Sequence, residues 1–374
     1  MMSAVICAYS RSPFTLANKG ALAKVRPDDI LAQLMQGLLK NMQLPTADIE
    51  ESIIGCAFPE GEQGFNIGRM VVLLAGLPHT IPGSTINRWC GSSMEAIHMA
   101  AGKICSGSGE LFLAGGVESM SRIPMGGFNP APNPDLYENM PGAYLSMGLT
   151  AENLAKKYSI SRKEQEEFAL SSHKKAAKAD LSGEITGIAH RGETVSKDGC
   201  IRADTTLEKM ATLEPAFDAS GSVTAATSSP VTDGASLVIV ASEAYADKHK
   251  LPKLARIKAM ASTGLEPEIM GLGPVEASKK ALARAGLKLS DMDFIELNEA
   301  FAAQSISVVK ELGIDESKLN VDGGAIALGH PLGASGARIT GKAAKLLHDR
   351  GGKYALATLC VGGGMGMATV LEKI

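Results

Sequence analysis

Residues 38–58 read LLKNMQLPTADIEESIIGCAF, and they align with residues 281–301, ALARAGLKLSDMDFIELNEAF, at a shift of 243 positions. Both stretches have the pattern of a helix, a short loop and an apolar strand. At a shift of 242, GELFLAGGV at residues 109–117 falls on GGKYALATL at residues 351–359, and both look like buried strands. Because the matches keep the same order along the chain, they indicate an internal duplication of one α/β unit.

The duplication divides the chain into two similar halves and one insertion. We assign residues 1–118 and 232–250 to an N-terminal α/β half, and residues 251–374 to a C-terminal α/β half. Residues 119–231 have no counterpart in the second half, so we predict that they form an inserted loop domain. The opening of this insertion, residues 121–144, is rich in Pro, Gly and Asn, which predicts a loop.

A helix is predicted after this loop. The stretch SRKEQEEFALSSHKKAAKADL begins at Ser161, a residue type that caps helix starts well. Glu164 follows three residues later, which is the spacing of a capping box. An inserted segment of this kind, placed over two similar lobes, commonly forms a substrate cleft.

Composition limits the classes of function. The chain has 374 residues, 45% of them hydrophobic, and can therefore bury the cores of two or more lobes. Its formal net charge of −3 gives no general reason to expect binding to nucleic acid or to an anionic membrane. No stretch approaches 18 uninterrupted apolar residues, and residues 1–14 lack the features of a signal peptide, so we expect a cytoplasmic protein.

The cysteines do not have the spacing of a structural metal site. The chain has six of them and none forms a C-x-x-C pair, which argues against structural zinc and against a dense disulfide framework. We therefore expect no bound metal and mostly free thiols.

Cys90 lies between the end of a predicted strand and the start of a predicted helix, in INRWCGSSMEAIHMAAGKI at residues 86–104. Free N–H groups and the positive end of the helix dipole favour a thiolate, and such a position can lower the pKa of a cysteine from about 8.5 toward 7 or below. Cys90 is therefore a candidate nucleophile. The alternative is that it is a small buried hydrophobic residue.

His330 occupies nearly the same place in the second half. It lies in GGAIALGHPLGASGARI, residues 323–339, before the helix that pairs with the Cys90 helix in the repeat, and Gly333 falls on Gly91. If the halves pack about a pseudo-twofold axis, the two helix starts converge and bring a thiol and an imidazole together, as nucleophilic catalysis requires. Taken alone, a Gly-His-Pro turn is more often structural.

Two further polar residues follow predicted strands. Cys360 starts the stretch CVGGGMG, whose glycines allow the backbone to approach a ligand and to direct N–H groups at an oxyanion. Asn298, in IELNEAFAAQ at residues 295–304, could hold a water or a carbonyl, or could cap a strand end. The glycine-rich stretches match neither the nucleotide-binding motifs nor the G-x-S-x-G nucleophile elbow.

Four blocks of the sequence together resemble the thiolase family of acyl-CoA acyltransferases. In chain order they are NRWCGSSMEAI, NEAFAAQ, GGAIALGHPLGASGAR and CVGGGMG, and the resemblance extends to MGLTAENLA at residues 147–155 and VTAATSSPVTDGA at residues 223–235. Four blocks in this order are more specific than any one of them. The resemblance implies the thiolase fold, in which two duplicated α/β halves are stacked in five layers with an inserted loop domain.

The resemblance also implies catalytic roles. Cys90 matches the nucleophile that accepts the acyl group, and His330 matches the histidine that activates it. Cys360 matches the second cysteine, which exchanges a proton with the acetyl-CoA carbanion. Asn298 matches the residue that holds a water, and this water forms one oxyanion hole with His330. The backbone N–H groups of Cys90 and Gly362 match the other oxyanion hole.

Coenzyme A is a substrate in this family, so the resemblance implies no cofactor. Arg202, Ser229 and Met147 match positions that line the coenzyme A site, while Met270 and Phe301 match positions along the pantetheine tunnel. The resemblance further implies a homodimer or a homotetramer. A hydratase/dehydrogenase subunit is an additional candidate partner.

The blocks favour thiolytic cleavage of 3-ketoacyl-CoA by coenzyme A in fatty-acid β-oxidation. CGSSM, ATSSPVTDG and GHPLG resemble degradative members, although CVGGGMG also occurs among biosynthetic ones. Short-chain members commonly have a histidine just before the methionine of the MGxTAEN block, where this chain has Ser146. The alternatives are an acetoacetyl-CoA thiolase that condenses two acetyl-CoA molecules and an inactive scaffold subunit that binds coenzyme A.

Overall fold

The computed structural model describes residues 3–42 and 44–374, which form a mixed α/β fold. The strands are β1 (Ala4–Arg11), β2 (Thr15–Leu16), β3 (Glu51–Gly55), β4 (Gly83–Ile86), β5 (Leu111–Ser119), β6 (Ile188–His190), β7 (Glu193–Val195), β8 (Thr232–Ser242), β9 (Ala255–Gly264), β10 (Phe294–Leu297), β11 (Tyr354–Val361) and β12 (Met365–Glu372). The helices are α1 (Pro27–Met42), α2 (Ile67–Leu74), α3 (Ser92–Cys105), α4 (Pro134–Asn139), α5 (Met147–Lys157), α6 (Arg162–Lys178), α7 (Leu207–Ala211), α8 (Glu243–Lys248), α9 (Gly273–Ala285), α10 (Ala302–Leu312), α11 (Ala325–Leu328) and α12 (Leu332–Arg350). Within these residues, no helix is both long enough and apolar enough to cross a membrane.

The larger sheet has the strand order β10-β11-β12-β9-β1-β8-β5-β3-β4, with β2 added beside β8. The strands β4, β3, β5, β8 and β1 form the first half of this sheet, and β10, β11, β12 and β9 form the second half. The halves are joined where β1 pairs with β9, over Val5–Arg256 and Ile6–Ala255. Each half also has an outer core of its own.

Strand register confirms the predicted duplication. In the first half, β3 and β5 are parallel neighbours, and Gly55 lies opposite Gly116. In the second half, β10 and β11 are parallel neighbours, and Leu297 lies opposite Thr358. Both pairs join residues 61 positions apart, and the second pair lies 242 positions after the first. The two halves therefore share one backbone plan.

Three layers of helices alternate with the two halves of the sheet, which gives five layers in all. Helices α1 and α2 bury apolar side chains on the outer face of the first half. Helices α3 and α12 lie between the halves and share one core with both of them. Helices α9 and α10 cover the outer face of the second half. This layering buries both faces of the parallel strands, as such strands require.

The two central helices touch closely. The backbone N–H of Ala337 in α12 donates to the Ser93 hydroxyl of α3 at 2.8 Å. A side chain at Gly336 would place its Cβ 2.4 Å from the backbone nitrogen of Met94, so only glycine fits there. The buried side chains of Ile97 and Ile339 lie in the same core.

The segment between β5 and β8 begins irregularly and then becomes helical. The predicted capping box is confirmed, since the Ser161 side chain accepts the N–H of Glu164 and the Glu164 side chain accepts the N–H of Ser161. The prediction of a continuous loop over residues 121–144 is wrong in part, because helix α4 lies within it. Asn133 caps that helix by accepting the N–H of Leu136, and a proline follows as the first helical residue.

Candidate active site

A mostly apolar cavity of about 190 Å³ lies where the starts of α3, α5 and α12 meet the end of β11. Three of the side chains predicted to be reactive, Cys90, His330 and Cys360, line it together. Methionine and phenylalanine side chains supply much of the remaining wall: Met120, Met125, Met147, Met270, Phe217 and Phe301. The convergence predicted from the duplication is therefore present.

Cys90 lies in a short 3₁₀ turn directly before α3. The Asn87 side chain accepts the N–H of Trp89 at 2.9 Å. The Ser92 hydroxyl accepts the N–H of Arg88 at 2.9 Å and donates to the carbonyl of Trp89 at 2.6 Å. Trp89 has a φ of 42°, in the left-handed region that side-chain-bearing residues seldom adopt. Strain of this kind costs on the order of 1–3 kcal/mol and often occurs at functional sites.

The Cys90 thiol is half-buried, and its environment keeps it protonated. Burial raises the pKa of this thiol to about 12. The backbone N–H groups of Gly362 and of Cys90 itself lower its pKa, whereas the Glu118 carboxylate adds to the rise. The predicted low pKa is therefore wrong for the unliganded protein, because burial outweighs the helix start. To act as the predicted nucleophile, the thiol would have to lose its proton to a base.

His330, the predicted base, lines the same cavity. Its Nδ1 lies 2.5 Å from the Ser335 hydroxyl, which also donates to the carbonyl of Pro331 at 3.0 Å. Because a hydroxyl has one proton to donate, Nδ1 carries the imidazole proton and Nε2 keeps a lone pair. Burial, together with the positive charge of Arg338, lowers the pKa of His330 to about 3. The imidazole is therefore neutral at physiological pH.

Asn298 lies beside the same imidazole. It follows β10, is fully buried, and its Nδ2 lies 3.4 Å from His330 Nε2. Its Oδ1 atom is buried without a partner among the described residues. Buried amide oxygens normally accept a hydrogen bond. The side chain therefore has an unused acceptor next to His330, as the predicted water-holding role requires.

Cys360 lies near the end of β11, before a turn that requires glycine. Burial and the neighbouring Cys90 raise the pKa of the Cys360 thiol. Gly363 and Gly364 have φ values of 72° and 79°, which favour glycine. The backbone N–H of Gly362, which precedes these glycines, lowers the pKa of Cys90. The oxyanion-hole role of Gly362 stays a prediction.

Four of the five residues predicted for the coenzyme A site line the cavity: Met147, Ser229, Met270 and Phe301. The Phe301 ring packs edge-on against Phe217, with 5.8 Å between centroids. Arg202 is exposed, its backbone N–H donates to Nδ1 of His173 at 3.2 Å, and it is not part of the cavity lining. Its role at the coenzyme A site stays a prediction.

Several residues of the site were not predicted from the sequence. Met120, Met125 and Val231 line the cavity although they lie in segments without a helix or strand pattern of their own. Ser335 orients the imidazole from the first turn of α12. A signal for Ser335 was present, since it falls on Ser93 in the repeat. The others could be found only from the folded chain.

Two family models match almost the whole chain. The model of the thiolase N-terminal domain matches residues 4–244, and that of the thiolase C-terminal domain matches residues 251–373. A Bacillus subtilis (strain 168) protein described as 3-ketoacyl-CoA thiolase is 46% identical over 393 residues, with 100% of both chains covered. A Pseudoalteromonas translucida protein of the same description is 47% identical over 388 residues, again with 100% of both chains covered.

A solved structure is also similar. The Bacillus anthracis acetyl-CoA acetyltransferase aligns with a TM-score of 0.91 and 40% sequence identity, covering 100% of this chain and 99% of that one. This likeness confirms the predicted fold of two duplicated α/β halves with an insertion. The sequence matches and the fold together establish that this chain belongs to the thiolase family.

Proposed function

We propose that this protein is an acetyl-CoA C-acyltransferase that cleaves 3-ketoacyl-CoA with coenzyme A in fatty-acid β-oxidation. The observation that carries the proposal is the presence of Cys90, His330 and Cys360 in the lining of one cavity. The full-length relatives described as 3-ketoacyl-CoA thiolase support the substrate class.

In the first half-reaction, His330 Nε2 takes the proton of Cys90, and the sulfur attacks the 3-keto carbon of the substrate. The bond between C2 and C3 then breaks, and its electron pair stays on C2 as the acetyl-CoA carbanion. Cys360 gives its proton to this carbanion. Acetyl-CoA leaves, and the shortened acyl group stays on Cys90 as a thioester.

In the second half-reaction, the Cys360 thiolate first recovers a proton from His330, and the neutral imidazole then takes the proton of the incoming coenzyme A thiol. The coenzyme A sulfur attacks the thioester carbonyl, and the bond between that carbon and Cys90 breaks. The departing Cys90 sulfur recovers its proton from His330. All three side chains return to their starting protonation states, so the cycle needs no cofactor or metal.

Each carbonyl oxygen that becomes negative needs hydrogen-bond donors. The N–H groups of Cys90 and Gly362, both of which lower the pKa of the Cys90 thiol, would bind the oxygen of the acyl group. A water on Asn298, together with His330, would bind the enolate oxygen of acetyl-CoA. Removing one such donor typically costs about a hundredfold to a thousandfold in kcat.

The reverse reaction is the second candidate. The similar solved structure is an acetyl-CoA acetyltransferase, and the same three side chains could condense two acetyl-CoA molecules. Ser146 favours the first candidate because it lines the cavity and is smaller than the histidine expected of short-chain members. An inactive scaffold is disfavoured, since a scaffold has no need for a thiol, an imidazole and a second thiol in one cavity.

The domain division and the assembly are also proposals. The pairing of β8 with β1 and β5 supports placing residues 232–250 with residues 1–118, apart from the insertion at 119–231 and the second half at 251–374. A homodimer or homotetramer is supported by exposed apolar side chains beside the edge strand β4, namely Phe65, Leu73 and Leu74. We also propose a cytoplasmic location.

Replacing the nucleophile tests the proposal directly. Cys90→Ser should lower thiolysis by at least about a thousandfold, because a hydroxyl is far less nucleophilic than a thiolate at neutral pH. Mass spectrometry of wild type incubated with acyl-CoA should show one acyl adduct, on Cys90. Cys105→Ser, at the other end of α3, is the matched control and should keep full activity. An adduct on Cys105 or Cys200 would disprove the assignment.

The raised pKa of Cys90 predicts how the reactivity of its thiol depends on pH. Because burial raises the pKa of this thiol to about 12, its thiolate fraction should grow about tenfold per pH unit at any lower pH. The rate of Cys90 alkylation by iodoacetamide should therefore rise steeply from pH 7 to pH 9 without levelling. Peptide mapping gives the rate for each cysteine. A plateau near pH 7 would show a thiolate already formed in the unliganded protein.

Cys360 should affect only one half of the reaction. Cys360→Ala should leave acylation of Cys90 by a simple acyl-CoA within about threefold of wild type, because that step forms no carbanion. The same variant should stop exchange of the acetyl-CoA methyl hydrogens with solvent deuterium, followed by NMR. Equal loss of both reactions would mean that Cys360 has no separate acid/base role.

Chain length separates the two candidate reactions. Each buried methylene contributes about 0.8 kcal/mol, so two or three accommodated carbons should favour longer substrates by more than about tenfold in kcat/KM. Ser146→His fills the part of the cavity beside residue 146. It should therefore depress activity on C8 and longer 3-ketoacyl-CoAs much more than on acetoacetyl-CoA. If wild type prefers acetoacetyl-CoA and the substitution changes nothing, the acetyltransferase becomes the better assignment.

A further inference from the structure

Because of the duplication, the surroundings of the start of α12 resemble those of the start of α3, which lies next to Cys90. At the shift of 242 that relates the halves, Cys360 at the end of β11 falls on Glu118 at the end of β5. In the strand register of the structure, Asn298 likewise falls on Cys56, one position away from its partner in the sequence alignment, and the residue after Cys90 falls on Gly333. The first half therefore repeats the backbone of the catalytic site around the start of α12, but with a glutamate in place of the second cysteine.

Glu118 fills this second site. It is almost fully buried, and its Oε2 accepts the N–H of Gly333 at 2.9 Å and the N–H of Ala57 at 2.8 Å. Its Oε1 accepts the N–H of Phe58 at 3.3 Å and the amide of Gln63 at 2.7 Å. One carboxylate thus ties the first turn of α12 to the loop that follows β3 in the other half.

The contact between Glu118 and Gly333 lies in the same turn as His330, the proposed base. Gly333 lies three residues after His330 and two residues before Ser335, whose hydroxyl orients the imidazole. The backbone of this turn also rests directly on β5, because a Cβ at Gly116 would lie 2.0 Å from the carbonyl oxygen of Gly333. Glu118 holds the turn at this distance, and a negative group suits the free N–H groups of a helix start.

We propose that Glu118 is a positioning residue for catalysis, which fixes the turn carrying His330 by binding the start of α12. This inference rests on the proposed function of His330 as the base. Glu118 lines no part of the cavity and is not itself a catalytic residue. Displacing a reacting group by about 1 Å can cost on the order of a hundredfold in rate. Loss of the carboxylate should therefore act on the chemical step.

Glu118→Gln is the decisive variant. An amide has only one oxygen, so its NH₂ group must face two N–H donors. These donors are either Gly333 and Ala57 or Phe58 and Gln63, and their hydrogen bonds are lost. We expect kcat for thiolysis to fall by about tenfold to a hundredfold, with KM within twofold of wild type. If this variant does not fold, Glu118→Asp is measured by the same criteria, because its shorter side chain cannot bind both loops.

Asp322→Asn is the matched control. Asp322 is a buried carboxylate that binds α12 far from His330, through Lys342 at 2.8 Å and Arg350 at 2.6 Å. This variant should lower thermal stability but keep kcat within about threefold of wild type. An equal loss of kcat in the control would mean that any loosening of α12 impairs catalysis, and would overturn a specific role for Glu118.

Hydrogen–deuterium exchange tests the positioning without using activity. The backbone amides of His330, Leu332, Gly333 and Ala334 should exchange at least about tenfold faster in Glu118→Gln, whereas the control should affect residues 342–350 instead. Unchanged exchange at residues 330–334, with faster alkylation of Cys90, would mean that Glu118 acts only as a charge near the thiol, and would overturn the proposal. If wild type shows no thiolysis, the proposed function fails while the exchange result still reports on the contact.

Discussion

The close contact between α3 and α12 is the constraint on which the rest of this structure depends. Side by side between the two halves of the sheet, the helices leave no room for a side chain at Gly336. Buried residues such as Ile97 and Ile339 each stabilise the contact by roughly 1.5–3 kcal/mol. Because both helices start at the same cavity, the contact brings the turns of Cys90 and His330 together, although 240 residues separate them in the chain.

The burial that builds this cavity also determines its electrostatics. A helix start stabilises a negative charge by at most about 2 kcal/mol, which corresponds to roughly 1.5 pKa units. That effect is smaller than the rise of the Cys90 pKa from 9.0 to about 12. The unliganded site therefore contains a neutral thiol and a neutral imidazole. Charge would form only when a substrate carbonyl accepts it, in a space with N–H donors already in place.

The duplication explains why the site is asymmetric. Both halves place a strand end beside the start of the other half's central helix, so the backbone alone provides two similar positions. In one, Cys90 and Cys360 face the cavity with room for a ligand. In the other, the Glu118 carboxylate occupies the equivalent space and satisfies backbone donors from both halves. One copy is thus open to a substrate, and the other stabilises the contact between the halves.

The sequence by itself determined the duplicated α/β plan, the helix starts at Cys90 and His330 and the capping box at Ser161, because hydrophobic periodicity and turn residues act over short distances along the chain. The resemblance to a family then predicted the roles of the reactive residues. Only the tertiary structure decided the pKa of Cys90, the tautomer of His330 and the hydrogen bonds by which Glu118 joins the two halves. These properties depend on burial and on hydrogen-bond partners that lie far apart in sequence, and no local pattern records which groups the folded chain brings within 3 Å of each other.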